Sequence, residues 1–399
     1  MKKRLLHIAL VIILPLIGYS QNFTTPLDYF KALYYADKEN FDSAIIQLDL
    51  CQEDPYCVMM KAEIFLNNNN FAEALALYKS VVDKIPSEAY YSIAVLYAQM
   101  GFADESTSWL EKHFEFKNPK SYTEIIKNPA FENISRTSEW RDFWGEKRYS
   151  AKYEKLSEAS YLINSGNAND AIILLQNEEF GSLNYLKYTL LSSAYYTTEN
   201  INAAYVNIEL AIQQNPKSNE ALALKYSIEM QNKNYQKAKE TNMQLLKYDS
   251  HNPVNLFNMA EICRLNGNTD EALKYINQYL ICFPYEEAAI YQKVQILSDN
   301  KDYRNALIEL NKLIETNTSV KEYFILRADI YFILESWKFA SDDYSMALDI
   351  YPFLPEVYYK MGVCFFNNND QNKACHAWQK AANMKNREAV EMLFKYCGE

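Results

Sequence analysis

A repeat of 34 residues organises most of this chain. From Tyr185 to Glu388 the 399-residue sequence divides into six consecutive blocks of 34 residues without a gap. A seventh block, one residue shorter, begins near Lys152, and three more begin near Thr25, Pro55 and Ser87, the first of them truncated to about thirty residues. Self-similarity at such a period is typical of units that stack in a line. The chain is therefore expected to form one array of about ten units, not two or three separate globules.

Two columns of small residues show what each block folds into. Position 20, counted from the start of a block, holds alanine in nine blocks of ten, and position 8 holds a small residue in eight. Positions 4, 8 and 11, and again 20, 24 and 27, lie on one face of a helix. Each block thus predicts two amphipathic helices, whose axes approach closely where the small residues meet.

Glycine and proline are scarce, which agrees with a helical chain. Only 8 Gly and 11 Pro occur, whereas average usage is about 7% and 5%. Seven of the prolines stand at position 32 or position 1, where a helix must stop. A hydrophobic content of 49% excludes wholesale disorder.

The blocks resemble tetratricopeptide repeats. The resemblance rests on the 34-residue period, the small residues at 8 and 20, the large residues at 11 and 24 and the prolines at position 32, which are Pro86, Pro216, Pro284 and Pro352. It covers about 25–118 and 152–388. It implies an all-α fold, a right-handed superhelical solenoid of about ten helix-turn-helix repeats. The residues that fit no repeat add a short non-repeat helical insert and a C-terminal capping helix.

These features predict five segments. They are a signal peptide at 1–20, a first array of about three repeats at 21–118, a helical connector at 119–151, a second array of about seven repeats at 152–388 and a capping helix at 389–399. The connector is rich in aromatic residues around Trp140. We expect it to pack on the third repeat, and the alternative is an exposed interaction patch.

One repeat departs from the pattern. The block that begins at Asn219 places Tyr226, Glu229 and Asn242 in columns that should be small or apolar. Three interpretations remain open for the two polar residues: a satisfied internal hydrogen bond, a looser joint between repeats, or a contact with a binding partner.

The N-terminus has the pattern of a secretory signal. Lys2, Lys3 and Arg4 precede an apolar run over 5–17, and Gly18 and Ser20 supply the small residues that a signal peptidase reads. We expect cleavage after Ser20, no transmembrane span in the mature chain, and a periplasmic, extracellular or cell-surface location in a bacterium. The alternative is an N-terminal segment that is retained as an anchor.

The seven cysteines are too few and too scattered for a disulfide scaffold. Cys51 and Cys57 bracket a short segment that predicts a turn between helices, so they could be bridged. The other five are expected to be free and to act as small buried hydrophobic residues.

Charge and motifs argue against several functions. The formal net charge is −11, and no stripe of Lys or Arg occurs, so nucleic-acid binding is not expected. The four histidines lie in separate parts of the chain, and no metal-ligand spacing, phosphate loop or nucleophile motif is present. The sequence predicts a non-enzymatic protein without a cofactor or a metal.

The resemblance also implies where a partner binds. In the family, positions 2, 5, 9, 12 and 13 of each repeat line a concave groove, and we call these positions of the ten blocks the first-helix face. Its predicted partner-binding residues are Tyr196, Phe257, Arg264, Tyr291, Phe332, Tyr359 and Phe366. Position 5 of the second array carries no basic residue, so the family's carboxylate clamp for C-terminal tails is not predicted.

We therefore expect a scaffold or adaptor that binds a protein or peptide partner in this groove. Assembly of an envelope or secretion complex is one process in which it could act. The alternative is a protein that binds a surface glycan or a small molecule on its aromatic face, because aromatic rings stack on sugars.

Overall fold

A computed structural model describes residues 26–116, 119–176 and 178–398. The predicted signal peptide and its cleavage site lie outside the described residues. Within the described residues the regular structure is entirely helical. No helix in these ranges is both long enough and apolar enough to cross a membrane.

Six helices form the first three pairs, and a connector follows them. The pairs are α1 (Leu27–Asp37) and α2 (Phe41–Leu50), α3 (Pro55–Asn67) and α4 (Phe71–Ser80), and α5 (Pro86–Met100) and α6 (Ala103–Phe114). The connector holds α7 (Tyr122–Lys127), a 3₁₀ helix (Pro129–Asn133) and α8 (Ser138–Gly145).

Seven further pairs and one final helix complete the chain. They are α9 (Ala151–Asn164) and α10 (Ala168–Gln176), α11 (Asn184–Thr197) and α12 (Ile201–Gln214), α13 (Asn219–Gln231) and α14 (Tyr235–Tyr248), α15 (Val254–Leu265) and α16 (Thr269–Cys282), α17 (Glu287–Asp299) and α18 (Tyr303–Thr316), α19 (Lys321–Ile333) and α20 (Trp337–Ile350), α21 (Pro355–Asn367) and α22 (Gln371–Asn383), and then α23 (Arg387–Tyr396); a short 3₁₀ helix (Gly181–Leu183) precedes α11. The predicted all-α solenoid of about ten helix pairs is confirmed.

The small columns lie where the two helices of a pair meet. All ten residues at position 20 are fully buried. Two serines in these columns show the contact directly: Ser106 at position 20 donates its hydroxyl to the carbonyl oxygen of Ala94 at position 8 (2.9 Å), and Ser192 at position 8 donates to the carbonyl oxygen of Ala204 at position 20 (2.8 Å). The backbones of paired helices therefore approach closely enough for a side-chain hydroxyl to bridge them.

The turn inside each pair uses a left-handed residue at position 15. Its φ is positive in all ten repeats, yet only Gly101, Gly166 and Gly267 are glycines, and residues such as Glu335 (φ 55°) and Lys301 (φ 61°) fill the same position elsewhere. The next backbone N–H donates to the carbonyl oxygen at position 11, as from Asn70 to Phe65 (2.8 Å) in the second repeat. This bond closes the end of the first helix, and an Asn or Asp side chain then caps many of the second helices.

The connector packs on the third pair, as the sequence predicts. Phe131, Trp140 and Phe143 are buried in one cluster with Ala94 and Leu110 of α5 and α6. The rings of Phe131 and Trp140 stack with centroids 5.1 Å apart. Most of the aromatic surface of this segment is therefore core, not an exposed patch.

The described chain divides into two compact units. The first extends to Ile262 and also includes Ile281–Phe283, and the second comprises Cys263–Leu280 and Pro284–Glu399.

Two disulfides occur among the described residues. Cys51 is bonded to Cys57, and Cys375 on α22 is bonded to Cys397, which directly follows α23. The second bond corrects the expectation that Cys375 and Cys397 are free. Because α23 folds back on α22, it brings the two thiols together across 22 residues. Cys282 and Cys364 are free and buried, as expected, and Cys263 is also buried.

The atypical repeat contains a buried polar joint. Glu229 is 1% exposed and its carboxylate accepts a hydrogen bond from the Thr241 hydroxyl (2.7 Å). The Asn242 amide donates to the carbonyl oxygen of Asn255 (2.8 Å) on α15. These bonds support the first of the three interpretations, although the second Glu229 oxygen has no hydrogen-bond partner among the described residues.

Candidate binding face

The predicted groove residues lie on first helices in both units. Tyr196 (α11) and Phe257 (α15) belong to the first unit. Arg264, the last-turn residue of α15, belongs to the second unit, together with Tyr291 (α17), Phe332 (α19), Tyr359 and Phe366 (α21). All seven side chains are half-buried, so each has both an internal contact surface and an accessible one.

On the second unit, Tyr291 lies among charged neighbours. Its ring lies 5.5 Å from that of Tyr323, measured between centroids. Burial, and then the negative charges of Glu322 and Asp329, raise the pKa of its hydroxyl. Arg264 Nη1 is 2.7 Å from Asp299 Oδ2, so the guanidinium is already paired within this face.

Further along the same unit, the charges of three acids act on Tyr359. Its pKa is raised by burial and then by Glu356, Glu388 and Glu391. The last two are on α23, which therefore contributes to the electrostatics of the face although it is not part of a repeat. The indole of Trp378 donates to the backbone carbonyl of Tyr359 (3.2 Å), which fixes α21 against α22.

The two phenylalanines of this unit are engaged by their own chain. Phe332 makes an edge contact with Trp337, with ring centroids 5.2 Å apart. Phe366 lies 4.5 Å from the Tyr396 ring and 5.8 Å from the Trp378 ring. Because Tyr396 belongs to α23, the capping helix covers part of the surface that Phe366 would offer to a partner.

On the first unit, Tyr196 packs against the cluster that contains Ala204 and Ile208.

A second group of acids and tyrosines lies where the connector meets the later repeats. Burial, and then the charge of Glu124, raise the pKa of Glu220. Glu124 and Glu220 also raise the pKa of Tyr153, after burial. These carboxyl groups lie near one another, which concentrates negative charge here.

The earliest repeats carry a similar group. Tyr56 has its pKa raised by burial and then by Glu88, Asp54 and Asp249. Desolvation by the surrounding protein raises the pKa of Glu63 to about 7, although the residue as a whole is exposed. Within this unit Asp54 Oδ2 lies 2.6 Å from His251 Nε2, so the start of the second repeat contacts the loop before α15.

The acids of the face are not among the predicted partner-binding residues. Across its five positions in ten repeats, Arg264 is the single basic residue. The acidic residues are nine: Asp37, Glu63, Glu88, Glu220, Glu261, Asp299, Glu322, Asp329 and Glu356. Reading each position down the ten repeats, instead of searching for aromatic hot spots, would have found this signal. The positions of the face therefore combine aromatic rings with an excess of acids, three of which, Asp37, Glu322 and Asp329, are paired with lysines.

The face has no feature of a metal centre. Within the described ranges, no group of three or more His, Cys, Asp or Glu side chains is placed to hold a metal ion.

Comparison with known proteins agrees with the repeat architecture. A tetratricopeptide repeat family model matches residues 356–383, which span α21 and α22. No curated protein matches the sequence significantly.

Among solved structures, a tetratricopeptide repeat protein from Parabacteroides merdae is 18% identical, over 63% of this chain and 100% of that one, with a TM-score of 0.51. The C-terminal part of a repeat-containing protein from Cytophaga hutchinsonii is 18% identical over 60% of this chain and 99% of its own (TM-score 0.49). PilF from Pseudomonas aeruginosa is 16% identical over 54% and 100% (TM-score 0.43). At 18% identity the likeness to the Parabacteroides merdae structure shows the fold alone.

Proposed function

We propose that this chain, a tetratricopeptide repeat protein, is a non-enzymatic scaffold. Proteins with this fold generally hold other proteins together. The partner would be an extended, basic segment of a polypeptide, bound on the first-helix face. Aromatic and apolar side chains of the partner would pack beside Tyr291 and Tyr359. Lysine and arginine side chains would pair with the acids that surround these rings.

The charge of the face carries this proposal. Nine acids and one base occupy its positions, and the base is paired with Asp299. A surface of one sign attracts a segment of the opposite sign and raises its rate of association. An acidic tail, by contrast, would be repelled.

We propose further that the protein acts outside the cytoplasm, in the periplasm or at the cell surface, where it would join an envelope or secretion complex. The signal-like pattern at 1–20 supports this location. So do the two disulfides, because such bonds persist mainly in oxidising compartments.

A peptide-binding experiment tests the proposed partner chemistry. Fluorescence anisotropy would compare a labelled peptide that alternates Lys or Arg with Leu and Phe against the same peptide with Glu at the basic positions. We expect saturable binding of the basic peptide, which weakens as salt is added. Equal binding of both peptides would contradict the electrostatic basis of the proposal.

Two matched double variants locate the site. Glu322→Gln with Glu356→Gln removes two charges from the face, and we expect it to weaken binding about threefold to tenfold, since exposed pairs contribute roughly 0.2–1 kcal/mol each. Glu315→Gln with Asp349→Asn removes two exposed charges from the second helices α18 and α20. If both double variants weaken binding equally, the peptide does not bind on the first-helix face.

A further inference from the structure

The last repeat contains a cleft that the first-helix face does not include. It lies between α21 and α22 and has a volume of about 300 Å³. Tyr358, Met361 and Phe365, spaced three and four residues apart on α21, form one wall, and Ala377 on α22 forms part of the other. The exposed lining is almost wholly apolar. A volume of this size lies at the lower end of the range for small-molecule sites, roughly 300–1,000 Å³.

The preceding repeat shows why the cleft is open here. Position 7 is Arg327 in that repeat and Met361 in the last, and position 23 is Asp343 and Ala377 respectively. Arg327 donates from Nε and Nη2 to the two Asp343 oxygens, both at 2.7 Å, and thus spans the space between α19 and α20. In the last repeat this ion pair is replaced by a thioether side chain and a methyl group, which leave the space between the helices unfilled.

Basic side chains surround the apolar cleft. Lys373, His376 and Lys380 follow one another at intervals of three and four residues on α22, and all three contribute to the lining. Lys380 Nζ lies 5.3 Å above the centre of the Tyr358 ring, and Lys373 Nζ lies 5.6 Å above that of Phe365. Lys373 is paired with Asp370 (2.8 Å), whereas His376 and Lys380 form no ion pair within the described chain. In a protein of net charge −11, Lys380 thus places a positive charge at the rim of an apolar cleft.

We propose that this cleft binds a small anionic amphiphile, a monocarboxylate with an aliphatic or aromatic body. The apolar body would lie between Met361, Phe365 and Ala377, and removing its surface from water would supply most of the binding energy. The carboxylate would remain at the rim, where Lys380 and His376 donate to it. The site is independent of the first-helix face and of any polypeptide bound there.

Calorimetric titration of octanoate into the protein tests this proposal, with octanol as the uncharged control. We expect saturable octanoate binding at one site and binding of octanol at least fivefold weaker. If octanoate shows no saturable binding at millimolar concentration, the proposed site is excluded. Equal affinity for octanol would overturn the role of the basic rim, and binding of a peptide that ends in a leucine carboxylate without binding of octanoate would assign the cleft to a protein terminus instead.

A filled variant places the binding in the cleft. Met361→Arg with Ala377→Asp rebuilds the ion pair of the preceding repeat, and we expect it to lower octanoate affinity more than tenfold while the thermal unfolding remains cooperative. Lys380→Gln removes one positive charge from the rim and should lower octanoate affinity several-fold without changing octanol binding. Unchanged octanoate affinity in both variants would show that the ligand binds elsewhere.

Discussion

Trp378 occupies the space that a side chain at Gly362 would need. A β-carbon built on Gly362 would lie 2.5 Å from the Cδ1 and Nε1 atoms of the Trp378 ring, which is well inside van der Waals contact. Position 8 is alanine in most other repeats, and position 24 there is a smaller residue than tryptophan. The glycine and the tryptophan therefore form a matched pair that is specific to the last repeat.

Gly362→Ala should destabilise the last repeat by about 1–3 kcal/mol, the usual range for overpacking a core. Thermal unfolding followed by circular dichroism measures the loss. Combining it with Trp378→Leu should remove most of the additional penalty, because the two changes share one contact. Strict additivity of the two single changes would contradict the described contact.

Gly101→Ala tests the left-handed turn. Gly101 has a φ of +82° and no heavy atom within 4 Å of its missing β-carbon, so the cost of alanine comes from the backbone alone. We expect destabilisation of about 1 kcal/mol. Gly145→Ala is the matched control, since it meets no neighbour and its φ is not left-handed. It should be neutral or slightly stabilising, and an equal loss in both variants would argue against the turn geometry.

Glu229→Gln tests the buried polar joint through pH. Burial raises the pKa of Glu229 from its ordinary value of 4.5. An acid whose pKa is higher in the folded state than in the unfolded state stabilises the fold in its protonated form. Its contribution to the free energy of unfolding is therefore full below about pH 4.5 and is lost as the pH rises through the folded-state pKa. Glutamine, which carries no charge at any pH, should therefore stabilise the protein at pH 7 relative to the wild type. This advantage should disappear near pH 4, as chemical denaturation at the two pH values would show.

Cys375→Ser with Cys397→Ser tests the second disulfide. The bond closes a loop of 22 residues, and loops of this order contribute about 3 kcal/mol by restricting the unfolded chain. We expect a lower unfolding temperature and earlier proteolysis within α23. Peptide mapping without reductant should recover both the 51–57 and the 375–397 bonds from the wild-type protein. Mixed pairings, or free thiols at 375 and 397, would contradict the structure.

Much of the fold could be predicted from the sequence because closely packed helices require small residues at regular intervals. Ala306 and Ala340, which stand 34 residues apart, are both fully buried, and any larger residue would push the helices apart. The left-handed turns are harder to recognise in the sequence, because seven repeats form them with residues other than glycine. There the backbone bond that closes the first helix fixes the conformation, and such bonds do not constrain the side chain.

The features that the sequence did not predict depend on distant contacts. The pairing of Cys375 with Cys397 requires the last helix to fold back, and no spacing of the two cysteines encodes that step. The partial covering of Phe366 by Tyr396 has the same origin. The cleft beside Ala377 could be recognised only by comparing two repeats in which the same space is filled in one and open in the other.

The Cys375–Cys397 bond also has a mechanical consequence. An array held together by neighbour-to-neighbour contacts yields to tension by peeling from an end, one helix at a time. A pull on the C-terminus reaches Cys397 first, and the covalent bond passes the load directly to α22. The last helix is then bypassed, and rupture must begin by separating α22 from α21, where Trp378 fills the hollow above Gly362. Chemical reduction would move the point of failure to the terminal helix, so the strength of this end under tension is set by the redox state of one bond.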